Sequence, residues 1–213
     1  MRLLHNLCPC PIVAFNLKKA FVFDLTQKNK ELASINVADV HEFSAYIKRK
    51  LQENNKDVGI GRYNEDRTIY HTPLFSGQRT VHLGIDIWAP ARTEIFSPIA
   101  GVVHSFQNNV GEGDYGPTII LQHTVEGNTF YTLYGHLTLN SLHHMFKGKH
   151  IQCGEKIAEI GSPPANGNYP PHLHFQLITD MLGREGNFPG VASVEEQEYW
   201  LSVCPDPSMF LNL

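Results

Sequence analysis

Apolar and polar positions change rhythm near residue 80. Before that point, "NVADVHEFSAYIKRKLQENN" places Val40, Phe43, Ile47 and Leu51 at three-or-four spacing, which predicts an amphipathic helix. "PIVAFNLKKAFVFDLT", residues 11–26, reads as one or two short strands, and residues 54–75 as loop around "GIGRYNEDRT". From residue 80 onward, short runs rich in β-branched and aromatic residues alternate with glycine and proline. "VHLGIDIWAP", "GVVHSFQ", "PTIILQHTV", "NTFYTLYGHL", "EKIAEIG" and "HLHFQLI" each predict a strand. No helical stretch separates them, so the pattern favours antiparallel pairing over βαβ units. After residue 180, "SVEEQEYWLSV" predicts a short helix, with Ser193 and Glu196 spaced as a capping box. The expected fold class is mainly β. It comprises an antiparallel β-sandwich or barrel-sandwich hybrid core (residues 76–180), an α/β amino-terminal segment packed on it (1–75) and a carboxy-terminal extension with a short helix (181–213).

Strand side chains alternate faces. In "PPHLHFQL", His172, His174 and Gln176 therefore share one face, while Leu173, Phe175 and Leu177 share the face suited to a core. In "VHLGIDIW", His82, Gly84 and Asp86 share a face, and Gly84 leaves the space between the two polar side chains open. Zinc takes imidazole nitrogen and carboxylate oxygen, and catalytic sites keep three protein ligands and one open position. His82, Asp86 and one histidine of "HLH" supply such a set. The other "HLH" histidine and His136 of "LYGHL" are then left beside the metal. One of these two imidazoles could take a proton from water and the other could donate a hydrogen bond to the developing oxyanion. His104, His123, His143, His144 and His150 read as ordinary structural or surface residues.

Charge narrows the partners. The chain of 213 residues carries a net charge of −4 and no basic stripe, which argues against nucleic acid. No apolar run reaches the roughly 18 residues that a membrane span needs. The amino terminus, "MRLLHNLCPCPIVAFNLKKAF", is interrupted by polar residues and prolines and makes a poor signal peptide, so a cytoplasmic location is the expectation. The four cysteines, Cys8, Cys10, Cys153 and Cys204, lack zinc-site spacing and read as reduced, structurally incidental thiols.

These motifs, in this order, resemble the lysostaphin-type (LytM-like) zinc metalloendopeptidases: H-x-x-x-D at His82–Asp86, "YGHL" around His136, and "HLH" at 172–174. "FSPIAGVVHSF", "GDYGPTIILQH" and "FKGKHIQCGEKIAEIG" resemble the family's connecting segments, and the likeness covers about residues 80–178. Where the family has T-G-x-S-x-G before its last motif, this chain has "SPPANGNYPP". The resemblance implies Zn²⁺ bound by His82, Asp86 and His174, with His136 and His172 as the catalytic pair. It also implies hydrolysis of a peptide or amide bond, usually in peptidoglycan cross-bridges. The tail looks like that of a subgroup fused to kinase-like and aminotransferase domains. Two other functions stay open: a cytoplasmic zinc hydrolase acting on a small amide or other non-cell-wall substrate, and a non-catalytic metal-binding regulatory module. All five motif positions fall between residues 82 and 174, so residues 1–75 are not expected to help build the metal site.

Overall fold

The computed structural model of the chain describes residues 8–70 and 78–211. The expected boundary at 75/76 and the first seven residues of the stretch weighed as a leader lie outside these residues. The elements in chain order are β1 (Phe21–Val22), α1 (Val40–Glu53), β2 (Gly59–Gly61), β3 (Arg79–His82), β4 (Ile85–Trp88), β5 (Glu94–Phe96), β6 (Gly101–Asn109), β7 (Gly116–Val125), β8 (Asn128–Gly135), β9 (His150–Ile151), β10 (Lys156–Glu159), β11 (His172–Ile178), β12 (Val191–Ser193) and α2 (Gln197–Val203). Eight strands form one sheet in the order β1-β2-β4-β11-β8-β7-β6-β9, and β10-β5 and β12-β3 form two small antiparallel pairs. The fold is mainly β, as the sequence predicts, and among the described residues no helix is long and apolar enough to cross a membrane.

Both faces of the large sheet are covered. Ile85, Ile87, Ile119, Leu121, Leu173, Phe175 and Leu177 point into the main core. The alternate residues Ile120, Leu133 and Ile178 face the other way, against Leu83, Phe188 and Ala192. The polar residues of "HLH" lie on this second face.

The amino-terminal segment joins the sheet instead of merely resting on it. β1 pairs in parallel with β2, and β2 pairs antiparallel with β4, with Gly61 opposite Asp86. Between β1 and β2, helix α1 starts at Asp39, whose carboxylate accepts from the N–H groups of His41 and Glu42. Its buried Phe43, Tyr46 and Ile47 pack on Phe23, Leu25 and Trp88. Of the expected loop at 54–75, the described residues 54–70 are not plain loop, since they contain β2 and take part in the isolated bridges Thr26–Arg67 and Asp66–Val81. "VHLGIDIW" is two strands, not one, because the chain leaves the ladder at Leu83 and Gly84. At the carboxy terminus, Ser193 Oγ accepts from the Glu196 N–H at 3.2 Å, so one half of the capping box forms ahead of α2.

The reading of the cysteines needs correction. Cys10 and Cys153 form a disulfide, with Cα atoms 6.2 Å apart. This distance is in the usual range. Spacing along the chain could not reveal it, because 143 residues separate the two. Cys8 is free and exposed, and Cys204 is free and buried.

Candidate metal centre

Strand pairing sets the centre. In the β4–β11 ladder His174 lies opposite Asp86, and His172 opposite Trp88. His82, at the end of β3, is braced from both flanks. Its N–H donates to Glu65 O, Asn64 N–H donates to its carbonyl, and Val191 of β12 stands opposite it. Gly84 leaves room for the His174 ring, since a Cβ there would sit 2.7 Å from it. His136 follows β8 at φ 61°, next to Gly135, which is opposite His174.

His82 Nε2, Asp86 Oδ1 and His174 Nδ1 form a triangle with sides of 3.0, 3.2 and 3.2 Å. Tetrahedral zinc with ligands at about 2.0–2.1 Å sets its donors about 3.3–3.4 Å apart, so the triangle is close to what such an ion requires. All three residues are buried.

Hydrogen bonds on the far side of each ring fix the tautomers. His82 Nδ1 lies 2.9 Å from Arg62 O, which can only accept, so Nδ1 carries the proton and Nε2 presents a lone pair. Gln176 Nε2 donates to Pro189 O at 3.0 Å and to Cys204 Sγ at 3.1 Å, which orients the amide. Gln176 Oε1 then accepts from His174 Nε2–H at 2.8 Å, leaving a lone pair on Nδ1. Burial, with help from the Arg67 charge, pushes the His82 pKa down to about 4, so the ring is neutral near pH 7. Burial alone would raise Asp86. The Arg67 guanidinium, 2.6 Å from Oδ2, helps hold the carboxyl well below its usual range. Two imidazole lone pairs and a carboxylate oxygen thus converge within 3.2 Å. Such a set calls for a cation.

Arg67 is the residue the sequence does not reveal. Its side chain is fully buried, and Nη1 donates to Asp86 Oδ2 at 2.6 Å. The rest of the guanidinium is held by Glu65 Oε2 at 2.9 Å, Tyr70 Oη at 3.1 Å and Arg62 O at 3.0 Å. One carboxylate oxygen is therefore committed to Arg67 and the other is left for the cation. Arg67 precedes residue 76, so the amino-terminal segment supplies a residue behind Asp86, while His82, Asp86 and His174 all lie outside that segment.

His136 and His172 stand beside the triangle, their ring centroids 4.2 Å apart. His172 Nε2 is 3.9 Å from Asp86 Oδ1, and the ring stacks on Trp88 at 4.3 Å. The loop "NGNYPP" orients both rings. Asn166 O accepts from His136 Nδ1–H, and Pro170 O from His172 Nδ1–H, each at 2.8 Å. Gly167 allows the loop to dock, since its φ is +79° and a Cβ would meet Asp114 O at 1.7 Å. Burial lowers both histidine pKa values. His136 is driven well below the usual value, and Asp86 partly offsets the fall at both rings. Both rings are neutral near pH 7 with lone pairs at Nε2. In this tautomeric state each Nδ1 proton is given to a carbonyl.

The centre opens into a cavity of about 250 Å³. Its walls include Arg67, Ile69 and Tyr70 from the amino-terminal segment and Arg184, Phe188 and Val191 from the carboxy-terminal one. His123 lies elsewhere, buried in β7 between Ala100 O and Thr132 Oγ1, in keeping with its structural reading.

Residues 80–185 match Peptidase family M23. No curated protein matches the chain. Among solved structures it is similar to the catalytic domain of the antimicrobial peptidase lysostaphin from Staphylococcus simulans, with 22% identity over 75% of this chain and 95% of that one and a TM-score of 0.45. Full-length lysostaphin gives 23% identity over 62% and 44% of the two chains, with a TM-score of 0.41. A zinc-containing peptidase from Vibrio cholerae gives 28% over 46% and 27%, with a TM-score of 0.37. The chain thus spans less than two thirds of either longer protein.

Proposed function

We propose that this chain, whose residues 80–185 form a domain of Peptidase family M23, hydrolyses a peptide or amide bond with a Zn²⁺ ion held by His82, Asp86 and His174. The observation that carries this reading is the convergence of three buried lone pairs whose directions are fixed by the hydrogen bonds behind them. Two imidazoles and one carboxylate suit zinc better than the oxygen-preferring Mg²⁺ or Ca²⁺. When bound, the ion supplies a Lewis acid that polarises a carbonyl oxygen and makes a water more acidic.

The chain's own groups then move protons. His172, whose Nε2 lies 3.9 Å from the ligand oxygen Asp86 Oδ1, is the proton acceptor. As the water oxygen attacks the carbonyl carbon, one proton passes to His172 Nε2. The carbon–nitrogen bond breaks as that proton goes to the leaving nitrogen, giving an amine and a carboxylic acid that keeps the other water proton. His136 Nε2 accepts the second O–H of the attacking water and orients it. Arg67 keeps Asp86 from turning away.

The cavity's modest size and its walls from both flanks favour a short peptide or small amide over a long polymer lying through the site. The tail's likeness to domains fused to kinase-like and aminotransferase domains points the same way, leaving peptidoglycan cross-bridges as the second substrate class. The Cys10–Cys153 disulfide supports an oxidising compartment over the cytoplasm. The test is to measure metal content and then hydrolysis of cross-linked peptidoglycan, oligoglycines, dipeptides and simple amides, with and without chelator. A fully metal-loaded protein that cleaves none of them would leave the regulatory-module reading in place.

A further inference from the structure

The mechanism above leaves the developing oxyanion without a donor from the protein. Neither His136 nor His172 has a free N–H, since both Nδ1 protons are given to backbone carbonyls. Among the described residues, three buried side-chain polar atoms lack any partner: Trp88 Nε1, Asn166 Oδ1 and the Tyr169 hydroxyl. Asn166 Oδ1 can only accept. Trp88 Nε1 sits against β2, 3.1 Å from where a Cβ on Gly61 would be. Tyr169 remains.

From these facts we infer that Tyr169 is a catalytic residue whose hydroxyl donates a hydrogen bond to the substrate's carbonyl oxygen as negative charge develops on it. This rests on the hydrolase reading given above. Tyr169 lines the cavity, and its ring stands edge-on to His136 at 5.4 Å and to His172 at 5.8 Å. Tyr70, Asp86, Arg67 and Asp114 line the same cavity. Tyr169 also belongs to the loop whose carbonyls orient both imidazoles, and its own carbonyl is fixed by Asn166 Nδ2 at 2.9 Å. One short loop thus sets two proton-handling rings and one hydroxyl. A buried hydroxyl with no partner destabilises the free protein. Its cost is offset when a substrate oxygen arrives.

Tyr169→Phe tests this, because it removes one oxygen and keeps the ring. In the full-length, chelator-treated protein, the variant should melt at the same temperature as the parent or higher. A clear drop would assign the hydroxyl a structural bond and overturn the inference. Both proteins should take up one metal ion, and kcat on the best substrate should fall about 10²-fold, the usual loss for one oxyanion donor, with KM changed much less. Turnover within about threefold of the parent would overturn it. A phosphinic analogue of glycylglycine provides a tetrahedral oxyanion and a readout without turnover. It should bind Tyr169→Phe at least about tenfold more weakly, as expected for one lost hydrogen bond to a charged group. Equal affinity would again overturn the inference. If the parent neither binds the analogue nor cleaves any substrate, the hydrolase reading fails, and the melting comparison alone decides whether the hydroxyl is reserved for a ligand.

Discussion

Replacing Arg67 with methionine probes the site most sharply. The change keeps much of the side-chain volume and removes a charge shared by two carboxylates, Asp86 Oδ2 at 2.6 Å and Glu65 Oε2 at 2.9 Å. The arginine side chain is 0% exposed and each carboxylate 3%, so solvent does not replace what is lost. Removing one partner of such a buried pair typically costs about 3–5 kcal/mol, because it leaves an uncompensated charge. For a domain of this size each kcal/mol moves the melting temperature by about 2–4 °C, so a fall of about 6–20 °C is expected in chelator. Zinc should restore part of it, because the ion compensates Asp86 but does not reach Glu65. The metal-induced rise in melting temperature should therefore be larger in Arg67→Met than in the parent. Adding Glu65→Gln to the variant should recover more, since it removes a buried charge left with only Arg62 Nη1 and the Leu25 N–H, each at 3.4 Å. Thermal melts of the three proteins, with chelator and with saturating zinc, supply every comparison. A chelated Arg67→Met that melts within about 2 °C of the parent would refute the account, because it would make the guanidinium worth less than about 1 kcal/mol.

Other expectations follow from the same geometry. His82→Ala and His174→Ala should each lose the metal ion, as measured by elemental analysis, and a full complement in both would refute the ligand assignment. His136→Ala and His172→Ala should keep the ion but lose about 10²–10⁴-fold in kcat, with His172→Ala the more severe. Zinc loss from His172→Ala together with retention by His174→Ala would reverse the roles of the two. Gly84→Ala should drive a methyl group into the His174 ring and weaken metal binding, which competition with a chelator would read; unchanged affinity would show that β3 and β4 can spread apart. Acid should destabilise the metal-free protein well before its carboxylates titrate. His82 and His123, both lowered to about 4 chiefly by burial, bind protons more weakly folded than unfolded. Their contribution is fully present above about pH 6.5 and is lost as pH falls toward 4, at up to about 1.4 kcal/mol per pH unit for each proton taken up on unfolding. A denaturation midpoint that stays flat from pH 7 to pH 5 would contradict this.

What the sequence revealed and what it hid have separate physical causes. His172, His174 and Gln176 could be assigned to one face because strand periodicity survives any tertiary arrangement, whereas the break of "VHLGIDIW" at Leu83 and Gly84 left no such signal. Gln176 behind His174 was visible as a face-mate, though not as the group that fixes a tautomer. Arg67 was hidden because it sits in "YNEDRT", a polar stretch without periodicity, where an arginine looks solvated. The bridges to Thr26 and Val81, with the backbone bonds of Asn64 and Glu65 to His82, fold that stretch against Asp86. The carbonyls of Asn166 and Pro170 were beyond reach in principle, since every residue carries a carbonyl and only the loop's path selects these two. The disulfide was hidden by its separation along the chain.

The order of strands also says how the chain can be cut. β2 occupies the outer side of β4, and β1 covers β2 in turn. A fragment starting at the family match near residue 80 would lose both strands. β4 would then become the rim of the sheet, with a row of unpaired backbone N–H and C=O groups flanked by Ile85 and Ile87. A bare apolar rim is a template for pairing with another copy. The amino-terminal strands therefore act as a selvedge that keeps the metal-bearing strand from seeding aggregation, and an excised β domain should come out of solution unless β2 travels with it.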